Sequence, residues 1–408
     1  MSITTETRRI ELVTENSNRN IQVQPFPFSP QSCKRAFTTR NVNLDDIKTL
    51  ITGEVKPQAG DLVLCEVTRL RQHCRIEQAN GRRARMFVKD KIIVCYGHRY
   101  APDQFESIVP DNLDACHLVA GGGVASLMRF KSPKVKPATE IQPLGLIGNR
   151  SGHILNLKDY STLKIAHQSA SKDIPVILVA GSSMNAGKTT TVASIIKGLT
   201  ADGYNVGAAK VTGTGSGGDL WHFIDAGVKE AIDFTDAGFA STYLMSNQKL
   251  IKVFNNMLNH LSQKETDVIV IEVADGILQG ETKELLESVE IQNLSTAMVY
   301  TSGDSSSAIY GVDWLQKLGY QVLAISGVVS SNPLGTQEIN KSTAIPVWKK
   351  AEITAAGFGH ELMQKLTVKS INTDSEQLHT IEIQCSKYLR LSSHQPGFGA
   401  NHGNQYCN

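Results

Sequence analysis

The sequence lacks most of the features that would assign it to an easily recognised class. No window approaches the roughly 18 to 20 uninterrupted apolar residues that a bilayer-spanning helix needs. The first residues, MSITTETRRIELVTENSN, lack the apolar core and small-residue cleavage site of a secretory signal, so a cytoplasmic location is the default. There is no excess of charge of either sign: 41 Lys+Arg against 39 Asp+Glu leave a formal net charge of +2, with no bulk attraction to nucleic acid or membrane. Cysteine is also uninformative, since seven residues at irregular spacing in a 408-residue chain read as reduced thiols rather than a disulfide framework. Neither an internal repeat nor a catalytic Cys/His pair is visible.

What is present divides the chain by texture. Residues 1–45 are polar without sustained periodicity and predict a flexible arm with at most one short strand. Residues 46–168 read as a small β-rich domain of unassigned role, with short apolar runs such as Asp61–Val67 and Lys91–Cys95 broken by Asn80-Gly81 and Tyr96-Gly97. From 169 to 368, apolar runs alternate with helical patterns, the signature of an α/β domain whose mostly parallel sheet is covered by helices on both faces. Strands are expected at Pro175–Ala180, Asn205–Val211, Val268–Val273, Ala297–Thr301, Val322–Ile325 and Ile345–Val347. The intervening helices are expected at Lys188–Ala201, Lys249–Leu261, Lys283–Glu290 and Ser307–Leu318, with a last one at Glu352–Leu366. Residues 369–408 turn polar again and read as a mobile tail.

The most informative stretch is Pro175-Val-Ile-Leu-Val-Ala-Gly-Ser-Ser-Met-Asn-Ala-Gly-Lys-Thr-Thr-Thr191, where an apolar strand runs through small residues into a helix. A loop of this kind turns its backbone N–H groups inward around phosphates, reinforced by the positive end of the helix dipole. Ser183, Met184, Asn185, Ala186, Gly187, Lys188, Thr189 and Thr190 are the candidate nucleotide-binding residues. Lys188 supplies a point charge to the outer phosphates, and the Thr189 hydroxyl is placed to ligate the magnesium that bridges them. Against G-x-x-x-x-G-K-[ST], Ser182 occupies the first glycine position, which is acceptable only if that residue needs no glycine-only dihedral.

With Gly203-Tyr-Asn-Val-Gly-Ala-Ala-Lys210 downstream, this region resembles the P-loop NTPases that include dethiobiotin synthetase, cobyric acid synthase and the adaptor of molybdopterin-guanine dinucleotide synthesis. The resemblance spans about residues 172–350. Ser183 stands where the dimerising partition ATPases carry an extra lysine, which argues against their mode of action. The resemblance implies ATP and Mg²⁺, a small-molecule substrate and a homodimer. It carries Lys210 over as a residue approaching both phosphate and substrate, Glu272 as a carboxylate close to magnesium, and Asn332 as a reader of the nucleotide base.

Other candidates come from the residues themselves. Glu272 ends an apolar strand at the edge where open α/β sheets place ligands. Asp219 closes the glycine-rich run Lys210–Asp219 and is a candidate for holding magnesium; Thr212 and Ser216 in that run are candidates for substrate oxygens. Asp236 is either a helix cap or a ligand contact. Tyr96–Glu106 concentrates polar and aromatic groups, as either a solvated loop or part of a pocket between domains. His73, Cys74, Cys95, His98, Cys116 and His117 are zinc-type residues at spacings that fit ordinary buried thiols better than a metal site. The catalytic candidates are therefore Lys188, Lys210 and Glu272, and the metal candidates Thr189, Asp219 and Glu272. The expected function is Mg-ATP-dependent phosphorylation or activation of a small molecule, of kinase or ligase type. The alternative is a nucleotide-hydrolysing switch or a cofactor- or metal-delivery protein acting on a protein partner.

Overall fold

A computed structural model describes residues 20–163 and 174–366. The tail expected at 369–408 and the first 19 residues of the expected arm lie outside the described residues.

The N-terminal part is built on a ten-stranded, mainly antiparallel sheet. Leu62–Arg69 lies between Thr139–Gly148 and Lys91–Tyr96, and its register sets Leu62 opposite Cys95 and Glu66 opposite Lys91. Leu62, Val63, Leu64 and Cys65 are all buried because both faces of this sheet are covered. Val63, Cys65 and Val67 point into one core, Leu62 and Leu64 into another. A strand buried on both sides reads as a continuous apolar run rather than an alternation.

The stretch 20–45 is not an arm. Ile21–Pro25 pairs antiparallel with Thr49–Gly53, and Phe37–Thr39 forms a 3₁₀ turn with all three side chains buried. Neither feature needs a periodic pattern. The first is a backbone ladder on an exposed edge, and the second is fixed by tertiary contacts.

In the second part six strands form a wholly parallel sheet: β1 (Val176–Gly181), β2 (Val206–Lys210), β3 (Glu230–Asp233), β4 (Val268–Glu272), β5 (Ala297–Thr301) and β6 (Val322–Ser326). Their order is β3-β2-β4-β1-β5-β6, which puts β1 and β4 in the middle. Helices α1 (Lys188–Ala201), α2 (Gly218–Asp225), α3 (Asn247–Ser262), α4 (Gly280–Leu286), α5 (Val289–Leu294) and α6 (Ser305–Lys317) connect them, and α7 (Pro333–Ser342) and the short α8 (Lys350–Ile353) follow the last strand. The amphipathic α3 shows how they attach: Leu250, Val253, Phe254, Met257, Leu258 and Leu261 recur at helical spacing and are all buried. At about 1.5–3 kcal/mol for each large apolar side chain taken out of water, that stripe outweighs any propensity term in the helix. This is the α/β P-loop fold, preceded by a β-rich part.

The structure departs from the expected elements in several places, among them the helices α2 and α7, which were not expected. β3 was not foreseen, because Glu230-Ala-Ile-Asp233 is a short edge strand with an acid at each end and no apolar run. The strand expected at Ile345–Val347 is reduced to a single parallel bridge, Ile325 to Val347, because Pro346 has no N–H to extend a ladder. The helix expected at Lys283–Glu290 breaks at Glu287-Ser288 into α4 and α5, and the one expected from Glu352 is interrupted at Gly357, with φ +87°. Among the described residues no helix is long and apolar enough to cross a membrane.

Candidate functional site

The site grows out of the carboxyl edge of the parallel sheet. β1 ends at Gly181, where a Cβ would stand 2.3 Å from the Thr301 hydroxyl of the neighbouring β5. Ser182 follows and donates its N–H to Thr301 O at 2.9 Å. Ser182 is not among the residues with positive φ, so its replacement of the usual glycine carries no backbone penalty. The loop then turns at Gly187, which has φ +95° and sits 2.9 Å (as a hypothetical Cβ) from Gly327 Cα. Both the dihedral and the close approach require glycine there. α1 begins at Lys188, so its free N–H groups face the loop interior.

Five of the sequence-derived candidates converge here. Lys188 is 3% exposed and donates its Nζ to Ser183 O of its own loop at 2.6 Å. Burial pushes its ammonium down to about 8, against the opposing pull of Glu272 and Asp275. The parallel register places Lys210, at the end of β2, beside Glu272, at the end of β4. Lys210 hydrogen-bonds Asp219 at the start of α2 and lies 3.9 Å from Glu272 Oε1. Although burial alone would depress it, those two carboxylates hold the Lys210 ammonium above its ordinary range. The Thr189 hydroxyl donates to Glu272 Oε1 at 3.2 Å, while Glu272 Oε2 is buried without a partner. Burial raises the Glu272 carboxyl to about 7.

Asp275 completes the cluster from a left-handed conformation, φ +63°, which aspartate tolerates better than most residues. Burial raises its carboxyl as well. The adjacent Gly276 packs so closely on the phosphate loop that a Cβ would stand 2.5 Å from Ser182 O. An orphaned buried carboxylate oxygen, a threonine hydroxyl and two lysines around a glycine-shaped loop fit a magnesium-bound nucleoside triphosphate. Among the described residues no group of three or more His, Cys, Asp or Glu side chains is pre-assembled for a metal.

Two cavities flank the cluster. The first, about 490 Å³ and mostly apolar, lies between α1 (Thr190, Thr191, Ser194) and the loop after β6 (Gly327, Val328, Ser330, Ser331), with Lys349 and Lys350 on its rim. It adjoins the phosphate loop at Gly187 and the first turn of α1 at Thr190 and Thr191. Asn332 sits between two of its lining residues, but its side-chain oxygen is spent capping α7, accepting from Leu334 N at 3.1 Å and Gly335 N at 3.3 Å. Of these lining residues, Lys349 and Lys350 carry no sequence signal, whereas Ser330 and Ser331 lie in the run Ser326-Gly-Val-Val-Ser-Ser331 that leads out of β6.

The second cavity, about 410 Å³ and more polar, is walled by the β-rich part through His73, Arg75, Arg83, Arg99 and Gln104, and by the glycine-rich loop through Thr214 and Ser216. From the segment Tyr96–Glu106, Arg99 and Gln104 thus line a cavity between the β-rich part and the glycine-rich loop. Asp103 of the same segment accepts a hydrogen bond from Asn185 of the phosphate loop, and Tyr100 packs on Tyr243 with ring centroids 5.5 Å apart. Glu77 fastens the seam: its carboxylate accepts from Ser216 Oγ at 3.2 Å, Gly217 N at 3.0 Å and Trp221 Nε1 at 3.0 Å.

Other candidates have structural partners. Asp236 pairs with Arg40 at 2.7 Å and accepts from Asp233 N at 3.0 Å, closing a second seam contact rather than facing the phosphate loop. The Thr212 hydroxyl donates to Ala274 O at 3.3 Å. Cys95 and Cys116 are buried thiols whose burial pushes each up to about 12, whereas Cys74 is exposed.

No family model matches the sequence, and no curated protein does. Among solved structures, the signal recognition particle receptor FtsY from Elizabethkingia anophelis is 15% identical over 52% of this chain and 69% of its own, with a TM-score of 0.31. HypB from Helicobacter pylori, in complex with nickel, is 13% identical over 48% of this chain and 89% of its own, at a TM-score of 0.32. The hydrogenase maturation factor HypB from Archaeoglobus fulgidus is 14% identical over 48% and 91%, at 0.33. Similarity at that level carries no argument about activity. What the loop, the sheet order and the strand-edge lysines and carboxylate support is a P-loop, nucleotide-binding fold.

Proposed function

We propose that this chain uses a magnesium-bound nucleoside triphosphate, with ATP the nucleotide implied by the sequence resemblance, to phosphorylate or activate a small molecule held in the cavity between its two parts. The observation that carries the reading is the position of that second cavity. It opens against the glycine-rich loop whose first residue, Lys210, stands between Asp219 and Glu272 beside the phosphate loop. An in-line transfer asks the protein for positioning and charge neutralisation more than for covalent chemistry. Lys188 and the loop N–H groups would bind the phosphates, Thr189 would hold the metal with Glu272 and Asp219 behind it, and Lys210 would face the transferring charge. Magnesium supplies neutralisation of that charge when bound.

A second reading is a nucleotide-hydrolysing switch acting on a partner protein, and one observation favours it. Thr189, Lys188 and Lys210 all have protein partners within the cluster, and the loop from Lys210 also supplies Ser216 and Gly217 to the Glu77 seam. Phosphates that take over Lys210 would loosen a loop that joins the two parts. The two readings separate in one assay: release of ADP or GDP in the presence of Mg-ATP or Mg-GTP, with and without a small-metabolite pool. Turnover that depends on a dialysable metabolite supports transfer. Slow turnover indifferent to metabolites but accelerated by a protein fraction overturns it in favour of the switch.

A further inference from the structure

Arg99 is an unusual residue for the interior. It is 7% exposed, yet among the described residues no carboxylate lies within ion-pairing distance of it, and its Nε has no acceptor at all. Its Nη2 donates to Gln104 Oε1 at 2.9 Å. Its Nη1 comes 3.4 Å from His73 Nε2, but that ring nitrogen is also 3.0 Å from Val119 O, where it must act as the donor. A protonated Nε2 cannot accept from Arg99. Nor does His73 supply charge, since burial and the nearby guanidinium push the imidazole down to about 4. Burial lowers the Arg99 guanidinium, and the acid whose charge opposes this is Asp275, which also acts on Lys188 and Lys210.

Burying a guanidinium with one neutral acceptor is costly unless something completes its hydrogen bonds and charge. The side chain lines the second cavity, where Arg75 and Arg83 add two more guanidiniums near the mouth. Among the described residues the one carboxylate lining this cavity, Glu77, already accepts from three donors of the seam. The cavity therefore presents an excess of unspent donors and no unspent acceptor charge. A planar fork of this kind matches the oxygens of a carboxylate or phosphate.

We propose that this cavity is the binding site for a small oxyanion-bearing molecule, a carboxylate or a phosphate ester, with Arg99 as its buried anchor and Arg75 and Arg83 drawing it in. The proposal rests on the phosphoryl-transfer reading above and names its substrate class: the anionic group sits on Arg99, and the rest of the molecule extends towards Thr214, Ser216 and the end of β2. At about 410 Å³ the space suits a metabolite rather than a polymer segment.

The test is a thermal-shift and calorimetric titration of the full chain with inorganic phosphate and, separately, succinate. Both are measured in the wild type, Lys188→Ala, Arg99→Gln and the exposed-site double variant Arg75→Ala/Arg83→Ala. Inorganic phosphate can also enter the phosphate loop, and the Lys188 variant isolates that event. The expected result is a response to one of the two anions that survives Lys188→Ala, weakens at least tenfold in Arg99→Gln, and weakens severalfold in the double variant. Phosphate alone points to a phosphate ester, succinate to a carboxylate. A response lost in Lys188→Ala but kept in Arg99→Gln places the anion in the phosphate loop and overturns the proposal, as does no response to either probe. If Arg99→Gln does not fold, an undiminished response in the double variant overturns it. Mg-ATP and Mg-GTP are titrated alongside. Absence of a nucleotide response with the anion response intact removes the phosphoryl-transfer reading and leaves the anion site standing.

Discussion

Replacing Glu77 with alanine should loosen the seam between the two parts by an amount that can be worked from its contacts. The carboxylate accepts from the buried Gly217 N–H, from Trp221 Nε1 and from the Ser216 hydroxyl, and is itself 4% exposed. The serine hydroxyl can rotate to another acceptor, but the amide and indole donors cannot. Leaving a buried donor unsatisfied costs about 1–3 kcal/mol, so two of them set an expected loss of roughly 2–6 kcal/mol. With an unfolding entropy of about 2.1 cal/mol/K per residue, a loss of about 4 kcal/mol lowers Tm by roughly 5 °C for a chain of this size. Differential scanning calorimetry gives the number, and Trp221 emission should shift red as its N–H loses its partner. Nucleotide affinity should change little, because the phosphate loop is not part of this contact. A Tm within about 1 °C of wild type, with unchanged tryptophan emission, would refute the claim that Glu77 fastens the seam.

Three further outcomes probe the cluster itself. Lys188→Ala should abolish the stabilisation by Mg-nucleotide, which for a site filled at about 100 Kd amounts to roughly 2.7 kcal/mol; a variant still stabilised to that extent would sink the assignment of the loop. Its unliganded stability should barely move, because losing the Ser183 hydrogen bond is offset by no longer burying an ammonium. Lys210→Ala should lower kcat by about 10²–10³ with a smaller change in nucleotide KM, the signature of a charge used in the transition state, and unaltered kcat would rule that role out. In a pH series, kcat/KM should rise as Glu272 loses its proton near 7 and fall as Lys188 loses its own near 8, since the carboxylate acts when charged and the lysine when protonated. Glu272→Gln should remove the acidic limb of that profile; an acidic limb that persists unchanged assigns it to another group.

The phosphate loop was legible because its signals are local. A strand, a small-residue turn and a helix start must follow one another within Val176–Thr191, and each residue there meets its requirement within a few positions of chain. Glu272 was legible for a related reason, since it ends an apolar run and strand ends on a parallel sheet converge; Lys210 came from the family resemblance, and the parallel register sets it beside Glu272. The seam was not legible. Glu77 meets Gly217 across 140 positions, and Arg40 meets Asp233 across 193, so neither leaves a pattern that a window of sequence can carry. Residues 20–45 were misread for the same reason, since Phe37 is buried by what folds over it and not by its neighbours in sequence. Arg99 escaped notice because an arginine between a histidine and a tyrosine looks like solvated surface until its burial is seen.

These two kinds of residue meet in one loop. Lys210 and Asp219 bracket the glycine-rich segment and are tied to each other, and through Glu272 and Thr189 to the phosphate loop. Between them, Thr214 and Ser216 line the cavity beside Arg99, and Ser216 and Gly217 are held by Glu77. The glycines let the backbone pass close to its neighbours: a Cβ on Gly215 would stand 2.5 Å from Thr38 Cγ2, and one on Gly217 2.7 Å from Glu77 Oε1. A segment so closely packed cannot shift at one end without disturbing the other. If phosphate recruits Lys210, as proposed, the cavity wall shifts with it, and an occupant of the cavity would in turn bias the lysine, because coupling between two binding equilibria is reciprocal. On that argument Glu77→Ala, which frees the middle of the loop, should weaken the dependence of nucleotide affinity on cavity occupancy more than it weakens either affinity alone. Equal coupling in wild type and variant would show that the two sites communicate by another route or not at all.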